Sequence, residues 1–182
     1  KIFDYDAFIS RNKELSYKLA TTLNRNTCTY CNRLYTITVV NENKKHKSKT
    51  QRLTRPQFDH WYPKSVFPCL ALSFYNLIPS CSVCNSSIKG DKVLSIDEYL
   101  HPYIHEDYGE EGFNYFYNSY SELSVISNVK HTKLANTLSL FKLNEIYNAH
   151  SNLELKDLYD LRMRYSENYI NTLVHETFNK LE

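Results

Sequence analysis

Two cysteine pairs with the same spacing constrain this sequence more than any other feature. Two residues separate Cys28 from Cys31, and two separate Cys81 from Cys84. At this spacing a tight turn directs both thiolates at one ion, and four such thiolates complete a tetrahedral zinc site. The alternatives are small buried side chains or a redox pair. The sequence therefore predicts one structural Zn²⁺ bound by all four cysteines.

Length and composition indicate a single folded domain over residues 1–182. The chain is 42% hydrophobic and 23% charged, with only 3 Gly and 5 Pro, which excludes low-complexity and collagen-like classes. Five cysteines would leave one unpaired in a disulfide framework, and no apolar run is long enough for a membrane span. We therefore expect a cytoplasmic protein with no membrane partner.

Positive charge is concentrated in the first third of the chain. Residues 1–58 contain 12 Lys and Arg against 4 Asp and Glu, although the net charge of the whole chain is only +2. Such a stretch is typical of a phosphate-facing loop or of a solvated loop, and charge alone does not decide between them. The candidate nucleic-acid-binding residues are Lys44, Lys45, Lys47, Lys49, Arg52 and Arg55.

Hydrophobic periodicity predicts a mixed α+β fold. Apolar spacing favours an N-terminal helix within residues 4–24, and β-branched residues favour a hairpin of 33–40 with 51–60. That hairpin would return the chain to the first cysteine pair, although 49 residues separate the two pairs. Further expected elements are a strand over 76–79, a short helix over 85–90, a hairpin of 113–117 with 122–127, and two helices over 130–143 and 144–181.

The segment between the cysteine pairs carries the chemistry-bearing residues. Asp59-His60 is followed by Pro63, Asn76 precedes Leu77, and Asn85 directly follows Cys84 with Lys89 four residues later. In this order, residues 28–90 resemble the HNH endonucleases. The resemblance implies a small ββα-metal core with the zinc site over 28–92, flanked by an N-terminal helix over 1–27 and a mostly helical C-terminal extension over 93–182.

The resemblance also implies a role for each residue. His60 would be the general base, Asp59 and Asn85 would bind the catalytic ion, and Asn76 would fix the loop that holds the histidine. Lys89 would neutralise the scissile phosphate. Asn85 stands where many members have histidine, and two oxygen ligands favour Mg²⁺ or Mn²⁺. Taken singly, these residues are also compatible with turns, helix caps, a half-buried histidine and a solvated lysine.

A further resemblance concerns the C-terminal part of the chain. His101-Pro102-Tyr103, residues 137–144 and the tyrosine-rich tail are similar to HNH subunits found beside an ATPase in bacterial anti-phage systems of the Septu type, including retron-associated ones. This implies an ATPase partner. The HNH chemistry uses water as nucleophile and leaves the substrate open between DNA, which we favour, and an RNA such as tRNA. The alternatives are a helical cap on the core and, for the whole chain, a non-catalytic zinc module that binds nucleic acid or protein. His101 and His105 are expected in a surface loop, with a second metal or substrate site as the alternative.

Overall fold

The computed structural model describes residues 3–41, 50–104, 106–119 and 122–178, which fold into two compact units. The first unit is formed by Lys1–Glu111 with Val129–Leu143, and the second by Gly112–Asn128 with Asn144–Glu182. The chain is mixed α+β, as the sequence predicts. The predicted division at residues 27/28 and 92/93 stays a prediction.

Short strands and helices build the first unit. The helices are α1 (Lys13–Leu23) and α2 (Thr132–Leu140), and shorter helical turns lie at Asp6–Ser10, Pro68–Leu70, Phe74–Asn76 and Val83–Lys89. The strands are β1 (Val39–Asn41), β2 (Gln51–Thr54), β3 (Gln57–His60) and β4 (Leu77–Ser80).

Helix α1 begins and ends at asparagine. The side chain of Asn12 accepts a hydrogen bond from the amide of Leu15, and Asn24 ends the helix with φ of 47° in the left-handed region. Because Asn12 begins a new helix, the single helix predicted over 4–24 is divided into Asp6–Ser10 and α1. The buried side chain of Ala20 packs with Phe58 and Leu77, so α1 covers strands β3 and β4.

Strand β3 pairs with β4, which differs from the predicted hairpin of 33–40 with 51–60. The observed hairpin consists of β1 and β2 alone, while Asp59 lies opposite Ile78 and His60 opposite Leu77 in an antiparallel pair. Pro56 separates β2 from β3, and a proline has no amide hydrogen to continue a ladder. The two strands nearest the predicted site are therefore joined by the long segment 61–76. The predicted strand after Asn76 is confirmed.

The second unit consists of one hairpin and a series of helices. Strands β5 (Gly112–Ser119) and β6 (Glu122–Asn128) pair antiparallel, which confirms the predicted hairpin. The helical segments are α3 (Leu143–His150), Ser151–Leu155, α4 (Lys156–Arg164), α5 (Glu167–Asn171) and Thr172–Phe178, where two helices were predicted over 130–143 and 144–181. Within the described residues, no helix is long and apolar enough to cross a membrane.

Candidate active site and metal centre

The four predicted zinc ligands converge in the core of the first unit. The sulfur atoms of Cys28, Cys31, Cys81 and Cys84 all lie within 4.8 Å of one another, and all four residues are buried. Sulfurs in a tetrahedral zinc site stand roughly 3.8 Å apart, given the usual Zn–S length. The cluster can therefore hold a metal ion such as zinc after a small contraction. Cys69 is exposed and lies outside the cluster.

Local backbone geometry explains why each pair turns towards one point. After the first pair, Asn32 has φ of 49° and its amide donates to the carbonyl of Cys28 at 2.8 Å. In the second pair, the amide of Cys84 donates to Cys81 Sγ at 3.4 Å, the type of contact that stabilises a thiolate. The turn Cys28–Cys31 is called the first knuckle. The amide of Thr29 within it donates to the carbonyl of Pro79 at 3.1 Å, which connects this knuckle to β4.

Electrostatics in the cluster favours a cation. Hydrogen bonds from Cys28 and Cys84 lower the pKa of the Cys31 thiol. Those two thiols are shifted in the opposite direction: the hydrogen bond with Cys31 raises the pKa of Cys28 to about 12, and hydrogen bonds with Cys28 and Cys31 raise the pKa of Cys84. Four adjacent thiolates repel one another, so a bound positive ion is what allows all four cysteines to lose their protons.

Three of the predicted catalytic residues line one cleft of about 510 Å³. Asp59 and His60 come from the end of β3, and Asn85 comes from the helix Val83–Lys89 that follows the second cysteine pair. The Nδ2 group of Asn85 donates to Gln57 Oε1 at 2.9 Å. The cleft is also lined by Tyr5, Arg55 and Lys64.

The ring of His60 is fixed in one orientation. Its Nε2 lies 3.0 Å from the backbone oxygen of Ala71, and Tyr5 packs edge-on against it with 4.4 Å between ring centroids. Because a carbonyl oxygen only accepts hydrogen bonds, Nε2 carries the proton and Nδ1 keeps its lone pair in the neutral ring. Burial lowers the pKa of His60, which favours that neutral form at pH 7.

Asp59 is buried and engaged by two donors. Tyr30 Oη donates to its Oδ2 at 2.5 Å, and Lys89 Nζ lies 3.2 Å from Oδ2 and 3.3 Å from Oδ1. Burial raises the pKa of Asp59, while the positive charge of Lys89 and the Tyr30 hydrogen bond act in the opposite direction. The negative charge of the Asp59 carboxylate is therefore compensated by Lys89 at the wall of the cleft.

Lys89 is placed differently from the predicted phosphate-facing lysine. Its side chain is fully buried and Nζ donates to the backbone oxygen of His60 at 2.7 Å. The amide of Gly90 bonds to the carbonyl of Asn85 at 2.8 Å, an i→i+5 bond of a π-helical turn. Lys89 points inward to Asp59 and to the backbone of His60, and it is not among the residues that line the cleft with Asn85.

Asn76 lies behind the cleft and closes the segment between β3 and β4. Its Oδ1 accepts from the amide of Tyr62 at 2.7 Å, and its Nδ2 donates to the carbonyls of Tyr62 and Leu70 at 3.0 and 3.1 Å. The side chain thereby ties both ends of the loop that contains Ala71, the hydrogen-bond partner of His60. The predicted role of Asn76, that of fixing the loop that holds His60, stays a prediction.

The remaining predicted residues are dispersed. Arg55 lines the cleft and packs over the Phe58 ring at 5.2 Å, whereas Arg52 is on β2. His101 is buried against Trp61, with 4.8 Å between ring centroids, and so is not in the expected surface loop. Lys44, Lys45, Lys47, Lys49 and His105 lie outside the described residues.

Sequence reasoning missed three residues that line the cleft or bond to its carboxylate: Tyr5, Tyr30 and Lys64. Tyr5 and Lys64 line the cleft from segments without a recognisable motif. Tyr30 had a signal that was not used, because it lies between two cysteines of a predicted metal knuckle and so has a fixed position near the core. Burial raises the pKa of Tyr5 to about 12, so its hydroxyl remains protonated.

Comparison of the chain with protein-family models, curated proteins and solved structures finds no match.

Proposed function

We propose that the chain is a metal-dependent HNH endonuclease that hydrolyses phosphodiester bonds of nucleic acid, with DNA as the first substrate to test and tRNA or another RNA as the alternative. The observation that carries the proposal is that Asp59, His60 and Asn85 line one cleft in the unit that contains the four-cysteine cluster. This combination of an imidazole, two oxygen ligands and a structural metal cluster is what the HNH resemblance implies.

His60 supplies the base in this proposal. Its neutral ring carries the proton on Nε2, which donates a hydrogen bond to the backbone oxygen of Ala71, and keeps the lone pair on Nδ1. An imidazole in this state removes a proton from water at neutral pH, and the lowered pKa of His60 maintains it there. The deprotonated water then attacks phosphorus, and the 3′ oxygen leaves, giving 5′-phosphate and 3′-hydroxyl ends.

Asp59 and Asn85 supply the ligands for a divalent ion. A carboxylate and an amide carbonyl are hard oxygen donors, which fit Mg²⁺ or Mn²⁺ better than Zn²⁺. The amide nitrogen of Asn85 is bonded to Gln57, which leaves its oxygen as the group available for an ion. When bound, such an ion adds positive charge at the phosphoryl and leaving oxygens.

The C-terminal resemblance extends the proposal to a cellular role. A nuclease of this type would be the effector of a bacterial anti-phage complex, with an ATPase subunit as partner. The second unit contributes exposed apolar side chains on α4, which include Leu158, Leu161 and Met163. Aromatic and methionine side chains are typical of protein interfaces.

The main alternative is a zinc module that binds nucleic acid or protein without cleaving it. In such a module the basic stretch near residues 44–55 would bind, and the cleft residues would have only structural roles. The two functions differ in one measurable property, the production of new nucleic-acid ends.

The test is a time course of plasmid and total-tRNA cleavage by the zinc-loaded chain with Mg²⁺, Mn²⁺ or no divalent ion. We expect ends with 5′-phosphate, and His60→Ala with the same zinc content should lose at least a hundredfold in rate, as expected for a general base. If the wild-type chain is inactive, the assay is repeated with a candidate ATPase partner. Binding without cleavage in both assays would contradict the proposal and favour the binding module.

A further inference from the structure

Tyr30 connects the first cysteine pair to the carboxylate of the cleft. It lies between Cys28 and Cys31, and its hydroxyl donates to Asp59 Oδ2 at 2.5 Å. Asp59 is 3% exposed, so this is a contact within the protein interior and water does not compete for it. The position of the carboxylate thus depends on the position of the knuckle.

The ring of Tyr30 is held independently of that hydrogen bond. It stacks on Phe141 with 4.2 Å between ring centroids and an interplanar angle of 18°, and it lies tilted beside Trp61 at 6.5 Å. Phe141 is fully buried. Packing on the ring and the backbone of the knuckle therefore fix the place from which the hydroxyl donates.

The second donor to Asp59 comes from the segment that follows the second cysteine pair. Lys89 ends the helix Val83–Lys89, which contains Cys84. Both side chains that bond to the carboxylate thus belong to segments anchored by a C-x-x-C pair. An ion bound by the four cysteines fixes these two segments relative to each other, and with them the two donors.

The two oxygens of Asp59 are occupied unequally. Among the described residues, Oδ2 has contacts at 2.5 Å with Tyr30 and 3.2 Å with Lys89, whereas Oδ1 has one contact at 3.3 Å with Lys89. We propose that Tyr30 is a positioning residue: its hydroxyl holds Oδ2 so that Oδ1 is presented to a divalent cation in the cleft, and the structural metal cluster thereby sets the cation site. This inference rests on the proposed function.

The expected effect follows from how partners of metal ligands act. A ligand whose orientation is fixed by a hydrogen bond loses no rotational freedom when the ion binds, and removal of such a partner typically weakens metal affinity about 10- to 100-fold. Tyr30→Phe removes one oxygen and retains the ring that stacks on Phe141. We expect the zinc content of this variant to equal that of the wild type.

The experiment is a Mn²⁺ titration of the zinc-loaded full chain, with free Mn²⁺ measured by electron paramagnetic resonance. Tyr30→Phe should bind Mn²⁺ about 10- to 100-fold more weakly, and its cleavage should recover when Mn²⁺ is raised to saturation. Tyr103→Phe is the matched control, because its hydroxyl donates to the backbone oxygen of Leu77 at 2.9 Å in the same unit. This control should retain wild-type Mn²⁺ affinity.

A double-mutant cycle with Asp59→Asn tests whether Tyr30 acts through Asp59. In the Asp59→Asn background, Tyr30→Phe should have no further effect on Mn²⁺ affinity. If Tyr30→Phe does not retain zinc, Phe141→Leu takes its place, since it loosens the Tyr30 ring without changing the knuckle or the carboxylate. Phe141→Leu should weaken Mn²⁺ binding in the same direction.

The failures are distinguishable. Wild-type affinity in zinc-loaded Tyr30→Phe, or additive effects in the cycle, would overturn the role of Tyr30 while leaving the nuclease proposal intact. A wild-type chain that neither binds Mn²⁺ nor cleaves nucleic acid would overturn the proposed function, and this inference with it.

Discussion

Lys89 and Asp59 form an ion pair in the interior of the first unit. The distance from Nζ to Oδ2 is 3.2 Å, and the two side chains are 0% and 4% exposed. Lys89 Nζ also donates to the backbone oxygen of His60, so one ammonium group contacts both of the neighbouring residues at the end of β3. The ion pair therefore holds Asp59 and His60 in position from the interior of the unit. The ammonium group itself does not reach the cleft surface.

Removal of the lysine alone should destabilise the protein strongly. Lys89→Met leaves the Asp59 carboxylate buried without its counter-charge, which typically costs about 3–5 kcal/mol. Lys133→Met is a suitable control, because Lys133 pairs with Glu106 at 2.9 Å where both side chains are about one quarter exposed. Urea unfolding of zinc-loaded proteins measures both changes, and the control should lose less than about 1 kcal/mol.

A second substitution at Asp59 should restore part of the loss. Asp59→Asn combined with Lys89→Met removes both charges, so the double variant should be more stable than Lys89→Met alone. Equal stability of the single and double variants would show that the charge of Asp59 is not what Lys89 compensates.

Substitution of a clustered cysteine should remove the zinc, whereas substitution of the fifth cysteine should not. Cys81→Ser should abolish binding of the one zinc expected per chain and lower the midpoint of thermal unfolding, because the ion joins residues that are far apart in sequence. Cys69→Ser changes an exposed thiol and should retain both the zinc content and the midpoint. Elemental analysis with thermal unfolding tests this, and zinc loss in Cys69→Ser would contradict the proposed ligand set.

The cysteine cluster was predictable because its signal is local. Each C-x-x-C pair forms its own tight turn, so the spacing within a pair determines where its two sulfurs point. The strand after Asn76 is also a local signal, a short apolar run that includes Leu77 and Ile78. The hairpin of β5 with β6 joins two segments that are neighbours in the sequence.

The pairing of β3 and the orientation of Lys89 depended on more distant or less common features. The run 51–60 has a continuous strand pattern, but Pro56 ends one ladder before β3 joins another strand. Lys89 follows Asn85 by four residues, which in an α-helix would bring both to one face. The observed orientation of Lys89 follows its tertiary partners, the Asp59 carboxylate and the backbone oxygen of His60, which the spacing along the chain does not encode. Contacts such as Tyr30 with Asp59 join residues from separate segments, and no pattern along the chain encodes them.

Stability should fall as the pH drops from neutral, in part because of two buried histidines. Burial lowers the pKa of His60 and of His101 below the ordinary value of about 6.5. Near and below pH 6.5 the unfolded chain therefore binds more protons than the folded one, and the free energy of unfolding decreases with falling pH. The contribution of these histidines is fully present above pH 6.5 and is lost as the pH falls through their folded-state pKa values.

Urea unfolding at pH 7.5, 6.5 and 5.5 measures this dependence. The double variant His60→Gln with His101→Gln should show a smaller decrease over this range than the wild type, whatever its absolute stability. A decrease of the same size in both proteins would assign the pH dependence to other groups.

Among the residues that the structure describes, Lys64 is the lysine that lines the cleft. Its Nζ is paired with Asp6 Oδ1 at 3.0 Å on a partly exposed surface, and both side chains retain access to solvent. A phosphate group that enters the cleft would compete with Asp6 for this ammonium group. Lys64→Gln should therefore weaken nucleic-acid binding and lower the slope of log K against log salt by about one, whereas Asp6→Asn should strengthen binding.

Binding of a duplex DNA to the zinc-loaded chain, without added Mg²⁺ or Mn²⁺, tests this at several salt concentrations. Lys18→Gln is the matched control, because Lys18 is an exposed lysine of α1 that does not line the cleft, so the change in net charge is the same. Equal losses in Lys18→Gln and Lys64→Gln would mean that net charge alone governs binding. A loss confined to Lys64→Gln, with wild-type binding in Lys18→Gln, would identify the cleft as the place where the phosphate backbone binds, because both variants change the net charge by the same amount.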